Sequence, residues 1–142
     1  FGFVPVGGTY YVQALTWTPD VTIASLICGL LIDTLLVVNN YRDREADARS
    51  GKRTVIVRFG EKFGRYFYLM LGITASLLCL CFLREGHFYA AFLPQLYLIP
   101  HFLTWKRMVK IYSGKKLNSI LGETSRNMLL MGILIAIGML IN

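Results

Sequence analysis

The stretch best equipped for chemistry is VVNNYRDREADARSGKRTVIVRFGEKFG, residues 37–64, where an acidic cluster runs directly into a basic one. Asp43 and Asp47 stand at i and i+4, so a helix continued through them presents both carboxylates on one face. Asn39 lies one turn earlier, and Asn40 neighbours Asp43 at a spacing of three. Paired carboxylates at this spacing suit Mg²⁺, a hard cation that takes oxygen ligands, keeps several waters and commonly bridges one or two carboxylates to substrate phosphates. Lys52 and Arg53 follow directly after Gly51. If the chain turns back there, they bring donors for phosphate oxygens to the same place. The chemistry suggested is metal-assisted handling of a diphosphate. From spacing alone, a second reading stays open, in which Asp43, Glu45 and Asp47 balance neighbouring arginines in a solvated turn.

The elements that must position this cluster are apolar. The chain has 142 residues, 55% hydrophobic and only 16% charged, whereas a soluble domain carries charge at roughly a quarter of its positions. A helix needs about 20 mostly apolar residues to cross a bilayer. Four stretches meet that length: Asp20–Tyr41, Phe63–Leu83, Phe88–Trp105, and Asn127–Ile141 with a flanking turn from Thr124. A fifth, Phe1–Leu15, reads as the closing part of a further span. The fold class expected is therefore all-α, a multi-pass transmembrane helical bundle of four full spans plus part of a fifth. Pro94 and Pro100 each remove a helical hydrogen bond, so the span Phe88–Trp105 is expected to be kinked or broken. Small residues such as Gly29, Gly72, Gly132 and Gly138 lie within the apolar runs and allow helices to approach closely.

The net charge of +7 raises nucleic acid as a partner, but the cations lie between apolar spans and not along one exposed face. Topology explains them better. Arg42–Arg65 and Lys106–Arg126 hold nearly every Lys and Arg, while the turns at Thr16–Asp20 and around Arg84 hold almost none. Both basic loops are expected to face the cytoplasm of a cell inner membrane. Cys28, Cys79 and Cys81 sit in apolar runs without metal-ligand spacing and are read as packing residues. The sequence begins at Phe1 inside an apolar run, with no signal peptide legible, and is expected to be a piece whose upstream part is missing.

The segment NNYRDREADARSGKRTVIVRFG closely resembles the second aspartate-rich motif of the UbiA superfamily of intramembrane prenyltransferases. It is most similar to the branch that prenylates 1,4-dihydroxy-2-naphthoate in menaquinone synthesis, whose motif runs NN-aromatic-R-D, then D, then G-K-R-T and V-R-hydrophobic-G. The similarity extends upstream through GTYYVQ and downstream into ETSRNMLLMGILIAIGML, so it covers most of the chain. The resemblance implies transfer of a polyprenyl chain from its diphosphate to an aromatic acceptor, with loss of diphosphate and, in this branch, of the acceptor's carboxylate. It implies that Asp43 and Asp47 hold Mg²⁺ and that Lys52 and Arg53 bind the diphosphate, with Arg53 also catalytic. It further implies a bundle of nine transmembrane helices, of which residues 1–142 would form the C-terminal part of one domain. Family members carry another aspartate-rich motif in the N-terminal half, and this sequence has no second DxxxD cluster. The expected partners are thus polyprenyl diphosphate, 1,4-dihydroxy-2-naphthoate, membrane lipid and the missing N-terminal half. Alone the piece is expected to be inactive.

Asp33 lies mid-span and shares a heptad-like face with Asn40 and Asp47, so a pocket is expected near Asp33, Asn39, Asn40 and Tyr41. His87 and His101 are isolated and are assigned to structural hydrogen bonding, and Trp17 and Trp105 to interfacial anchoring. Prenylation of 4-hydroxybenzoate, homogentisate or haem is the near alternative. A transport or scaffold segment, in which Asp33 lines an ion path, is the alternative of a different class.

Overall fold

The computed structural model describes residues 1–141, and within them the chain is built of helices joined by short turns, without strands. A π-helical turn Phe3–Gly8 leads into α1 (Thr9–Ala14), which Leu15 closes in a left-handed conformation at φ 52°. The long helix α2 (Pro19–Arg49) starts from an unambiguous signal. The Thr18 hydroxyl accepts from the Val21 N–H at 3.4 Å, Pro19 takes the first turn, and Asp20 faces the positive end of the dipole. Thr54 caps α3 (Val55–Leu78) in the same way, accepting from Val57 N–H at 3.3 Å. A 3₁₀ segment, Cys79–Glu85, extends α3 to the far end of the bundle. There His87 and Asp20 approach to 3.7 Å.

Three helical stretches among the described residues are long and apolar enough to cross a membrane: Pro19–Arg49, Val55–Glu85 and Lys115–Leu140. The expected span Phe88–Trp105 is not one uninterrupted helix. It is α4 (Phe88–Phe92), a 3₁₀ segment Leu93–Tyr97 and α5 (Leu98–Ile111). The cause is Pro94 at the start of the 3₁₀ segment, which has no N–H to give the preceding turn. Gln95 repairs the break, its Nε2 donating to the Ala91 carbonyl at 3.0 Å and to the Ser76 carbonyl of α3 at 2.9 Å. The last helix, α6 (Asn118–Leu140), follows a short connector and a 3₁₀ turn, Lys115–Leu117.

The two basic segments are also more helical than expected. α2 continues through Arg42–Arg49, and only residues 50–54 form the turn before α3. Hydropathy falls where the bilayer ends, but Arg, Glu and Ala are good helix formers and carry the helix onward into water. Both basic segments meet at one end of the bundle, where Arg42 reaches Asn118 at 3.0 Å.

Packing divides into two layers. One gathers Ile27, Leu31, Ala75, Phe82, Tyr97 and Met131, and the other Val38, Tyr41, Ile56, Tyr68, Met108 and Ile120 beneath the charged end. Polar pairs pin the helices to one another. Tyr68 bonds Thr124 at 3.1 Å, Asn127 donates to Thr104 at 3.0 Å, and His101 is sealed between the Tyr97 hydroxyl and the Leu69 carbonyl. The His101 ring lies directly on Gly72, where a Cβ would collide with it. Membrane helices gain little from apolar burial against each other, so such close approaches and hydrogen bonds define the arrangement.

Candidate active site

The last two turns of α2 hold the acidic cluster. Residues 42–49 include Arg42, Asp43, Arg44, Glu45, Asp47 and Arg49, so this stretch projects beyond the hydrocarbon. Asp43 is clamped by its neighbour: Arg42 Nε donates to Oδ1 and Nη2 to Oδ2, both at 2.7 Å. These charge-assisted bonds hold the Asp43 carboxyl below the usual carboxylate range.

Asp47, one turn on, is buried, with only 8% of its surface exposed. The chain reverses beyond it because Gly51 adopts φ 75°, a conformation that costs other residues energy. The reversal brings Lys52 N–H onto the Asp47 carbonyl at 2.9 Å and Lys52 Nζ to Asp47 Oδ1 at 3.3 Å. Asp47 Oδ2 is buried and has no hydrogen-bond partner. Arg53 points into solvent without an ion pair among the described residues, and with Val57 and Arg58 it lines an open cleft of about 500 Å³.

The pocket residues expected from sequence divide. Asp33 and Asn40 line one cleft of about 240 Å³, whose walls are Leu36, Val37, Val55, Ile56 and Phe67. Asn39 instead accepts from Arg42 Nη2 at 2.8 Å. Tyr41 is fully buried between α2 and α3, its hydroxyl accepting from Arg65 Nε at 2.9 Å. Around it is a cationic assembly that sequence spacing does not reveal. The Arg44 guanidinium lies between the rings of Tyr41 and Tyr112, 4.5 and 4.9 Å from their centroids, and reaches Glu61 at 3.7 Å. Arg65 also lies over Tyr112, at 5.3 Å, and bonds Glu61 at 3.3 Å. The Glu61 carboxylate beside Tyr112 pushes its phenol up from the ordinary value. The Arg65–Glu61 and Arg44–Tyr41 contacts are local to one helix, whereas Tyr112, Arg44–Glu61 and Arg65–Tyr41 join separate elements and leave no spacing in the sequence.

Residues 1–140 match the family model described as the UbiA prenyltransferase family. The chain belongs to this family. Among curated relatives, a Haemophilus influenzae protein is 34% identical over 145 residues, covering 99% of this chain and 46% of its own length. An Escherichia coli protein is 40% identical over 80 residues, 56% of this chain and 26% of the relative. A Mycobacterium tuberculosis protein is 40% identical over 78 residues, 55% and 27% respectively. All three carry the name 1,4-dihydroxy-2-naphthoate octaprenyltransferase. The chain thus spans about half the length of the first of these relatives and about a quarter of the others is matched. No solved structure matches it.

For a UbiA-family membrane protein, a divalent cation is the group whose fit to these residues needs testing. Asp43 and Asp47 offer hard oxygen donors on one face, and Asp47 Oδ2 is an orphaned buried acceptor. Among the described residues no three His, Cys, Asp or Glu side chains surround one point. Two carboxylates can serve a hard divalent cation when other oxygens and waters complete its shell, so the donor chemistry of Asp43 and Asp47 is compatible with one.

Proposed function

We propose that this chain forms the diphosphate-binding side of an intramembrane prenyltransferase that moves a polyprenyl chain from its diphosphate to 1,4-dihydroxy-2-naphthoate, a step of menaquinone synthesis. The observation that carries this reading is the Asp47 carboxylate, buried at a helix end with one oxygen unsatisfied, one turn from Asp43 and facing a returning lysine. Buried polar atoms are nearly always paired, so the Asp47 oxygen, one of four unpaired buried side-chain atoms among the described residues, is an acceptor open to a cation, a donor or a water. The names of the relatives supply the acceptor and the donor class.

In this reading the allylic carbon–oxygen bond of the donor breaks and its electron pair leaves with the diphosphate. The allylic carbon bonds to an electron-rich ring carbon of the acceptor, whose carboxylate departs as CO₂. Asp43 and Asp47 would hold Mg²⁺, whose charge would offset that developing on the departing oxygens. Lys52 and Arg53 donate to those oxygens, Lys52 from beside Asp47 and Arg53 from the rim of the open cleft. The Asp33–Asn40 cleft, apolar apart from one carboxylate and one amide, has the composition that orients a hydroxylated aromatic ring. The apolar helices accept the tail, and the basic end faces the cytoplasm of the inner membrane.

The test uses the full-length enzyme that carries this segment, assayed for prenyl transfer while Mg²⁺ is titrated. Asp43→Asn and Asp47→Asn should each lower turnover by about a hundredfold or more, because each removes a ligand charge. Wild-type turnover and Mg²⁺ dependence in both variants would return the cluster to a solvated turn.

A further inference from the structure

Neighbouring residues on a helix diverge by about 100°, so side chains at i and i+1 do not face each other. Arg42 and Asp43 nevertheless form a side-on pair with two bonds of 2.7 Å. Two further acceptors draw the guanidinium sideways. Asn39 Oδ1, one turn back on α2, accepts from Nη2 at 2.8 Å, and Asn118 Oδ1, the first residue of α6, accepts from Nη1 at 3.0 Å. Four bonds thus fix a planar fork of five N–H donors. The carboxylate plane of Asp43 is in turn set by the guanidinium plane.

We propose that Arg42 is a positioning residue, fixing the Asp43 carboxylate for cation binding and, through Asn118, making that orientation depend on the docking of α6. The inference rests on the reading of Asp43 as a metal ligand. Each Asp43 oxygen retains a lone pair outside the clamp, so the carboxylate can bind a cation without leaving Arg42. Asn118 belongs to a helix that contributes neither aspartate, which gives α6 a role in the site that its own residues do not announce.

Charge and position make opposite predictions. If Arg42 only balances charge, Arg42→Gln removes a competing cation and tightens metal binding, and Arg42→Lys behaves as wild type. If Arg42 orients the carboxylate, both variants weaken binding, because neither retains the fork. The experiment titrates Mn²⁺ into the full-length enzyme in nanodiscs with inorganic diphosphate present, reading free Mn²⁺ by electron paramagnetic resonance. Arg42→Gln and Arg42→Lys should weaken Mn²⁺ binding by about tenfold or more, the usual effect of losing a residue that orients a ligand. Asn118→Ala, at an exposed position that folding tolerates, should weaken it by a smaller factor. The double variant should be no worse than Arg42→Gln alone, since both act through one clamp. Tighter binding in Arg42→Gln, wild-type binding in Arg42→Lys, or a silent Asn118→Ala would overturn the proposal. Asp43→Asn separates the two levels. If it weakens Mn²⁺ binding while the Arg42 and Asn118 variants do not, only the positioning role falls; if it changes nothing, the metal reading falls as well.

Discussion

Asp47→Asn should separate stability from activity. Asp47 is 8% exposed and its Oδ2 lacks a partner among the described residues, and leaving a buried polar group unsatisfied costs about 1–3 kcal/mol, more when it is charged. Its one ion pair among the described residues, with Lys52 at 3.3 Å, involves an ammonium that is 60% exposed. After solvent screening such a pair contributes under about 1 kcal/mol. The amide keeps an acceptor for Lys52 and removes a buried charge but leaves its own N–H donors at the unpaired position, so the variant should lie within about 1 kcal/mol of wild type. Turnover should fall at least about a hundredfold, equivalent to about 2.7 kcal/mol of transition-state stabilisation. Thermal unfolding in detergent and prenyl transfer would be measured on the same preparation of full-length enzyme. A variant less stable by more than about 1 kcal/mol would show that the carboxylate is structural and refute the argument from its orphaned oxygen.

Two glycines provide a packing test. Gly72→Ala places a Cβ against the His101 ring and should destabilise by about 1–3 kcal/mol. Gly122→Ala, in α6 with open space around its Cα, should stabilise by up to about 1 kcal/mol, both read by thermal unfolding. Arg53→Ala should raise KM for prenyl diphosphate more than KM for the acceptor. Glu45→Gln, on an exposed residue about half a turn from the aspartate face, should leave both unchanged. Single cysteines placed in residues 50–54 and in residues 112–114 should react with an impermeant reagent from the same side of the membrane, because both segments lie at one end of the bundle. Labelling from opposite sides would contradict that arrangement.

The candidate site was legible in sequence where its geometry is local. The i, i+4 aspartates needed only a continued helix, and Gly51 before two cations signalled the reversal that returns Lys52 to Asp47. Pro94 announced the break in the third expected span, though not that Gln95 would mend it from the side. What stayed hidden depends on elements far apart in the chain. Arg42 and Asn118 are 76 residues apart, and no periodicity links them. Tyr112, at φ 67°, occupies a conformation usually signalled by glycine, so its place between Arg44 and Arg65 has no local signature. Hydropathy marks only the membrane boundary near Tyr41, whereas α2 is sustained beyond it by helix-forming charged residues through Arg49.

The role we propose for residues 1–141 is the diphosphate side of a naphthoate prenyltransferase. Its most direct test incubates the purified full-length enzyme with octaprenyl diphosphate, 1,4-dihydroxy-2-naphthoate and Mg²⁺, and follows prenylated naphthoquinol and released diphosphate by mass spectrometry. Both products should form in equimolar amounts and be lost together in Asp43→Asn. Transfer to a different aromatic acceptor with none to the naphthoate, or undiminished transfer in Asp43→Asn, would contradict it.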